Sequence, residues 1–418
     1  MQNKGGKMVK RGKFLLSCVT ATIGLGAAGL VSAAVIGPCV DCHTMHNSTN
    51  SNVATFAGTG VGDYGGWNGT SLSGSDNTSQ GKLLKSDCIG CHSSTDSSTT
   101  VVTLGSGLKI PVVFNIGGYP AAALAGGNFF QTSQAGGQGY GHNVWGIAGN
   151  DPDIADNPAA ISWAMAGCAN SCHTDLALDP AATASPSDPR FSNKNGCEGC
   201  HLYATNIGGI GGHHNSADTS YRFLGGHQVP TTGVVDAGGA GTPYEDSDWE
   251  ATKGAGDHNF YRWQQPDTDD TLNSMSIGRF CAGCHNRFHA NGRIDGNAFG
   301  QDNGGDSNAD DIASNQSSPW LRHPTNVQLP NTGEYAAVRG TAYNPNIPVA
   351  QNPTDFGGAA ADNVTIGDQV MCLSCHRAHA SDQPDALRFN YTNVRAHEVT
   401  LGNATNGCFY CHTTKDDL

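Results

Sequence analysis

The apolar residues of this chain form few patterns long enough to define an element. One uncharged stretch runs from Phe14 to Ala33, directly behind Lys4, Lys7, Lys10, Arg11 and Lys13. A basic lead, an apolar run and small residues at Val31, Ser32 and Ala33 form the pattern of a secretory signal. A retained membrane anchor is the rival reading, because the run approaches spanning length. Gly24, Gly26, Gly29 and the neighbouring threonines keep it weakly hydrophobic, which favours removal close to Ala34. Residues 1–33 are therefore read as a cleaved signal and 34–418 as one mature domain. Further along, weak alternation over Val101-Val102-Thr103-Leu104 and Ile110-Pro111-Val112-Val113-Phe114 predicts a β-hairpin. The glycine-rich stretches 58–69 and 233–241 read as loops. No later segment has the length and apolarity to cross a bilayer, so no membrane insertion is expected once the signal is gone.

Composition fits this broken pattern. The 418 residues include 57 glycines and 18 prolines, and charged residues make up 14%, against about 25% in a typical soluble chain. Good helix formers on charged faces are scarce, which argues against long helical bundles and coiled coils. With 22 Lys and Arg against 36 Asp and Glu the net charge is −14, and that sign disfavours nucleic acid and anionic lipid as partners. It suits a protein that must stay soluble outside the cell.

The 15 cysteines and 17 histidines decide the chemistry. Cys18 lies inside the signal and leaves with it; the apolar run before it is too short for a lipid-attachment reading. An even number of cysteines in an exported chain ordinarily suggests disulfides. The spacing suggests something else. Six C-x-x-C-H motifs occur: Cys39, Cys42 and His43; Cys88, Cys91 and His92; Cys197, Cys200 and His201; Cys281, Cys284 and His285; Cys372, Cys375 and His376; Cys408, Cys411 and His412. A seventh, Cys168, Cys172 and His173, has one extra residue between its cysteines. A random chain of this composition would hold about 0.02 copies of C-x-x-C-H. Two thiols a short turn apart add across the two vinyl groups of one haem, and the histidine that follows reaches the iron. This is the c-type attachment signature, with the histidine as proximal ligand. Structural zinc would need two C-x-x-C pairs per tetrahedral site and no histidine after each. Seven covalently attached haems c are expected.

Each iron then needs a second axial ligand or an open position. Ten histidines remain: His46, His142, His213, His214, His227, His258, His289, His323, His379 and His397. This surplus lets every haem be bis-histidine, and a six-coordinate haem carries electrons without a place for substrate. The second-side candidates are His46, His142, His214, His227, His258, His289, His323 and His379, eight for seven irons. His46, His289 and His379 closely follow their own motifs, a spacing that carries His46 or His379 off its neighbour's haem toward an adjacent one. His142 and His258 stand in turn-like polar contexts. His323 is followed by Pro324, which restricts the residue before it. His213 and His214 offer one ligand between them.

The motifs are unevenly spaced, with 24 to 87 residues from one proximal histidine to the next motif. The 385 residues after position 33 leave about 55 per haem, too few for independent domains. The expected fold is therefore mostly irregular coil, with short helices at the motifs, 3-10 turns and few β-hairpins, wrapped around seven haems that supply much of the apolar core. Acidic groups at Asp267, Asp269 and Asp270 and from Asp302 to Asp311 lack the spacing of a calcium loop and read as solvated. No Ser-His-Asp set, phosphate loop or nicotinamide fingerprint is present, and no catalytic residue is assigned.

The opening phrase Cys39-Val-Asp-Cys42-His43-Thr-Met-His46-Asn47-Ser48 and the later Cys372-Leu-Ser-Cys375-His376-Arg-Ala-His379-Ala-Ser381, with Arg388-Phe389-Asn390, resemble extracellular multihaem cytochromes of metal-reducing microbes, some of which form filaments called cytochrome nanowires. Other phrases resemble the same family: Tyr221-Arg222-Phe223-Leu224 with His227, Glu245 to Glu250 with Asp257-His258-Asn259, and Ser318-Pro319-Trp320-Leu321-Arg322-His323-Pro324 with Gly333-Glu334-Tyr335. The resemblance implies a chain of closely stacked bis-histidine haems, homopolymeric assembly, and a His46 that ligates a haem of the adjacent subunit. Redox partner cytochromes and extracellular electron acceptors are implied, with a secreted or cell-surface location and no enzymatic role. The chain departs from the best-known members in its seven motifs and one widened spacing. Two alternatives remain: a monomeric periplasmic or surface electron shuttle, and an oxyanion reductase with one five-coordinate haem, for which the Cys168 motif is the place to look.

Overall fold

The computed structural model describes Cys39, Cys42 and His43, four strand residues between 66 and 73, most of 88–151, then 176–177, 196–201, 250, 258–263, 277, 281, most of 323–395, and 407–413. The chain divides into units Met1–Leu30 and Val31–Leu418, and every described residue belongs to the second. The signal 1–33, the 233–241 stretch and the acidic segments at 267–270 and 302–311 lie outside the described residues.

Regular structure is short, as the composition requires. Helices α1 (Cys88–His92), α2 (Glu198–His201) and α3 (Cys372–Cys375) span about one turn each. Turns of 3-10 type occupy Gln138–Tyr140, Gly333–Val338, Pro384–Ala386, Tyr391–Asn393 and Gly407–Tyr410. The three helices and the last of these turns coincide with C-x-x-C-H motifs. A single turn has almost no stability of its own, so each is fixed from outside. For α3, the Met371 N–H donates to Ser374 Oγ (3.1 Å), and that hydroxyl donates to the Pro348 carbonyl (2.6 Å).

The expected hairpin forms. Strand β4 (Val101–Thr103) pairs antiparallel with β5 (Lys109–Pro111), with Val102 opposite Ile110. Pro111, which has no N–H, sits at the strand end. Beyond it the chain changes partner: Val113 N–H bonds the His92 carbonyl (2.9 Å), and β6 (Phe114–Asn115) runs parallel to β3 (Ser93–Ser94). The 58–69 stretch is not loop throughout. Within it, β1 (Gly66–Trp67) pairs with β2 (Leu72–Ser73) and with Ser94, giving the sheet order β2-β1-β3-β6. Backbone bonding to a ready edge overrides the weak strand tendency of glycine. Strands β7 (Val327–Gln328) and β8 (Gln369–Val370) pair antiparallel just ahead of α3.

The described core is divided into four small clusters. The spacer residues of three motifs enter three of them: Ile89 packs with Phe114, Phe129, Val144, Ile147 and Ala380; Leu373 with Tyr261, Ile277, Ala350 and Met371; Tyr410 with Leu329, Val338, Tyr343, Ile347, Val349 and Val364. Burial of each such side chain contributes about 1.5–3 kcal/mol, so each motif anchors its own patch of core. Buried amides tie the loops between clusters. Asn115 Nδ2 donates to the Asp96 (2.5 Å) and Thr99 (3.2 Å) carbonyls, while its backbone N–H donates to Asn128 Oδ1 (3.0 Å). Fully bonded buried amides hold a coil as firmly as a ladder would. Among the described residues no helix is long and apolar enough to cross a membrane.

Candidate haem sites

Wound as one helical turn, C-x-x-C-H puts its two cysteines and histidine at i, i+3 and i+4, which share one face. The backbone takes that turn repeatedly. His43 N–H donates to Cys39 O (2.8 Å), His201 to Cys197 O (3.0 Å), His376 to Cys372 O (3.1 Å) and His412 to Cys408 O (3.0 Å). Helix α1 contains the Cys88, Cys91 and His92 set whole. Cys39, Cys197, Cys372, Cys375, Cys408 and Cys411 are thiols, not disulfides.

The histidines share a second feature. His92 Nδ1 lies 2.8 Å from the Pro111 carbonyl, His142 Nδ1 2.9 Å from Ala378 O, and His258 Nδ1 2.9 Å from Asn259 O. His376 Nδ1 is 2.7 Å from Asp385 O, and His379 Nδ1 is 2.8 Å from Ala125 O. A carbonyl oxygen only accepts, so in each case Nδ1–H donates. The ring is then fixed as the tautomer whose Nε2 carries the lone pair, the usual arrangement around a metal-bound histidine. His412 does the same with a charged acceptor, Glu334 Oε1 at 3.2 Å, beside the Tyr335 hydroxyl at 3.4 Å. Burial, then the His201 ring, pushes His379 down to about 3 against the raising effect of the Ala125 carbonyl, so this imidazole is neutral and able to bind a metal.

Proximal and spare histidines meet in pairs. The His201 and His379 ring centres are 5.9 Å apart, and those of His323 and His412 are 6.1 Å apart. Two imidazoles on opposite sides of one metal, each nitrogen about 2 Å from it, have centres about 6 Å apart. The motifs themselves come together as well. The Cys372 side chain lies within hydrogen-bond reach of Cys281, and Cys375 lies near Cys408. His92 is lowered by burial and, more weakly, by His201, against the Pro111 carbonyl. His258 stacks on Tyr343 with ring centres 3.7 Å apart and planes 11° from parallel. The donor set therefore fits haem c: paired thiols, a histidine on the same face, and locked imidazoles spaced for axial ligation.

The Cys168, Cys172 and His173 set, Cys284, His285, His46, His213, His214, His227, His289 and His397 lie outside the described residues. Three residues that hold the described motifs carry no mark in composition or spacing. Glu250, Glu334 and Arg388 each fall in phrases that the family resemblance picked out, and that was the only signal for them.

Residues 364–417 match the family described as the doubled CXXCH motif, covering the last two motifs. Over 90% of its length the chain is 24% identical to the C-type cytochrome OmcS of Geobacter sulfurreducens, of which 83% is covered. Among solved structures, the outer membrane cytochrome S filament of Geobacter sulfurreducens covers 90% of this chain and 88% of its own at 19% identity and a TM-score of 0.41. A second structure, described as OmcS nanowires from the same organism, covers 93% and 96% at 16% identity and a TM-score of 0.40. The similarity to a filament-forming multihaem cytochrome read from the motifs is thus borne out, and it supports covalently bound haem c as the cofactor.

Proposed function

We propose that this protein carries electrons outside the cell through seven c-type haems, each held between two histidines, and that it does so as a homopolymeric filament. The observation that carries the reading is the pair of imidazole spacings, His201 with His379 and His323 with His412, at 5.9 and 6.1 Å. Bound haem c supplies an iron that cycles between ferric and ferrous states. The chain's residues do the rest. The cysteines would hold the macrocycle covalently and the paired histidines would bind its iron, while the carbonyl partners hold each imidazole in place so that little would need to reorganise on electron transfer. An iron closed on both sides has no position for a substrate, which favours a carrier over an enzyme. Haems held in this way would pass electrons between neighbouring motifs, a reading supported by close approaches such as Cys281 with Cys372. Residues 1–33 serve as the export signal, and extracellular oxidants or partner cytochromes take the electrons.

Addition of carbon monoxide to the reduced, haem-loaded protein tests the carrier reading. No spectral change is expected, and saturable binding by the wild type would point to an open iron and a reductase. The filament rests on the Cys39–His46 phrase, in which His46 is assigned to a haem of the adjacent subunit. Electron microscopy of protein sheared from cells is expected to show long thin filaments. His46→Ala should leave haem-loaded monomers, and filaments of the variant would remove His46 from that role.

A further inference from the structure

Glu250 is the most unusual charged residue described. It is 6% exposed and has φ = 80°, a conformation non-glycine residues adopt only under constraint. Its carboxylate sits between two guanidinium groups: Arg377 Nη1 donates to Oε2 at 2.9 Å, and Arg388 Nη2 lies 3.8 Å from Oε1. The Tyr261 hydroxyl donates to Oε1 at 3.1 Å. All four side chains are nearly or wholly shielded from water, so their fields are weakly screened.

Both arginines are built into the motif of Cys372, Cys375 and His376. Arg377 follows the proximal histidine in sequence. Arg388 Nε donates to the Leu373 carbonyl (2.6 Å) and the His376 carbonyl (3.0 Å), and its backbone N–H donates to the Cys375 carbonyl (2.8 Å). Two fixed positive charges therefore stand behind one haem attachment turn, met at close range by one buried carboxylate brought from more than a hundred residues upstream, with Asp382 acting more weakly on Arg377. We propose that Glu250 sets the reduction potential of the haem held by Cys372, Cys375 and His376, keeping it lower than the two arginines alone would make it. The inference rests on the reading that these residues hold a haem. Reduction there adds one electron, supplied by a neighbouring haem or a chemical titrant, and makes or breaks no bond. The ferric centre carries one more positive charge than the ferrous one, so a nearby carboxylate favours the ferric form and nearby arginines favour the ferrous.

The test is a potentiometric titration of the full haem-loaded protein, followed by absorbance, for wild type, Glu250→Gln and Glu250→Asp. Glu250→Gln keeps size and hydrogen bonding but loses the charge. About one-seventh of the absorbance change is expected to move to higher potential, with the rest of the curve unchanged. Glu250→Asp should return that fraction toward the wild-type position. If Glu250→Gln yields no haem-loaded protein, Arg377→Gln should shift the same fraction to lower potential. Unchanged potentials, a uniform shift of every haem, or an Arg377→Gln shift of the opposite sign would overturn the proposal. A purely structural ion pair would lower the melting temperature and leave the potentials in place. The low-spin electron paramagnetic resonance signal of the same samples reports separately whether the haem is held as proposed.

Discussion

His379→Ala turns one haem of the loaded protein high-spin and opens it to carbon monoxide. The wild-type ring is restrained from three sides: Nδ1–H donates to Ala125 O at 2.8 Å, the face stacks on Phe129 with centres 5.0 Å apart, and His201 stands opposite at 5.9 Å. Alanine removes the distal imidazole and leaves Cys197, Cys200 and His201 intact, so haem content is expected to hold. About one-seventh of the haem should lose its low-spin signal and bind carbon monoxide when reduced, against none in the wild type. His379→Met offers a thioether in the same place. It should restore six-coordination and raise that haem's potential, since a methionine ligand favours the ferrous state. A His379→Ala protein that stays wholly low-spin would detach His379 from the Cys197 haem.

Gly127→Ala costs stability on the order of 3 kcal/mol or more, for a reason that lies in the same segment. Residues 379–381 thread between two glycine-rich stretches. His379 N–H bonds Gly126 O (2.8 Å), Asn128 N–H bonds Ala380 O (3.0 Å), His142 N–H bonds His379 O (2.9 Å) and Ser381 N–H bonds Tyr140 O (3.0 Å). A Cβ at Gly127 would overlap the Ala380 carbonyl oxygen, and φ there is +108°. One at Gly126, with φ = +68°, would lie 2.9 Å from His379 Nδ1. Overlap with backbone cannot be relieved by a rotamer change, so overpacking and the left-handed conformation add. Gly139 is the control, because a Cβ there meets nothing within 4 Å. Gly139→Ala should stay within about 0.5 kcal/mol of wild type. Guanidinium unfolding of the haem-loaded proteins checks both; equal midpoints for Gly127→Ala and wild type would contradict the packing described.

Much of this was legible in the sequence because thioether chemistry imposes strict local spacing. C-x-x-C-H announces a one-turn helix and its cofactor together, and the Val101 to Phe114 alternation announced a hairpin. That hairpin ended earlier than its apolar pattern did. Val113 and Phe114 were as apolar as Ile110, but after Val112, whose N–H still bonds Thr100 O, the backbone pairs instead with the edge that starts at His92. Gly66 and Trp67 were read as loop for the converse reason, since a strand made by a neighbour's edge leaves no trace in its own residues. Least legible were the carbonyls that hold the imidazoles. Every residue has a carbonyl, so Pro111, Ala125, Ala378 and Asp385 carry no mark in the alphabet of side chains. Glu250 was nearly as quiet: one of 36 acidic residues, marked only by the family phrase that ends on it, with nothing in composition or spacing to say that the chain buries it.

The His201 and His379 pairing also bears on how the protein is made. The two residues are 178 positions apart, and chains are synthesised from the N-terminus. In a chain exported N-terminus first, as the proposed signal implies, Cys197, Cys200 and His201 would be available for haem attachment well before His379. A haem loaded at that stage would be held by Cys197, Cys200 and His201 without His379, and would remain so until the last tenth of the chain arrived. The final motif is the reverse case, because His323, Glu334 and Tyr335 all precede His412 and await it. On that order, maturation would end with the C-terminal segment closing a site in the middle of the chain. Truncation near residue 370 would leave a reactive haem there, beyond the loss of the final two motifs.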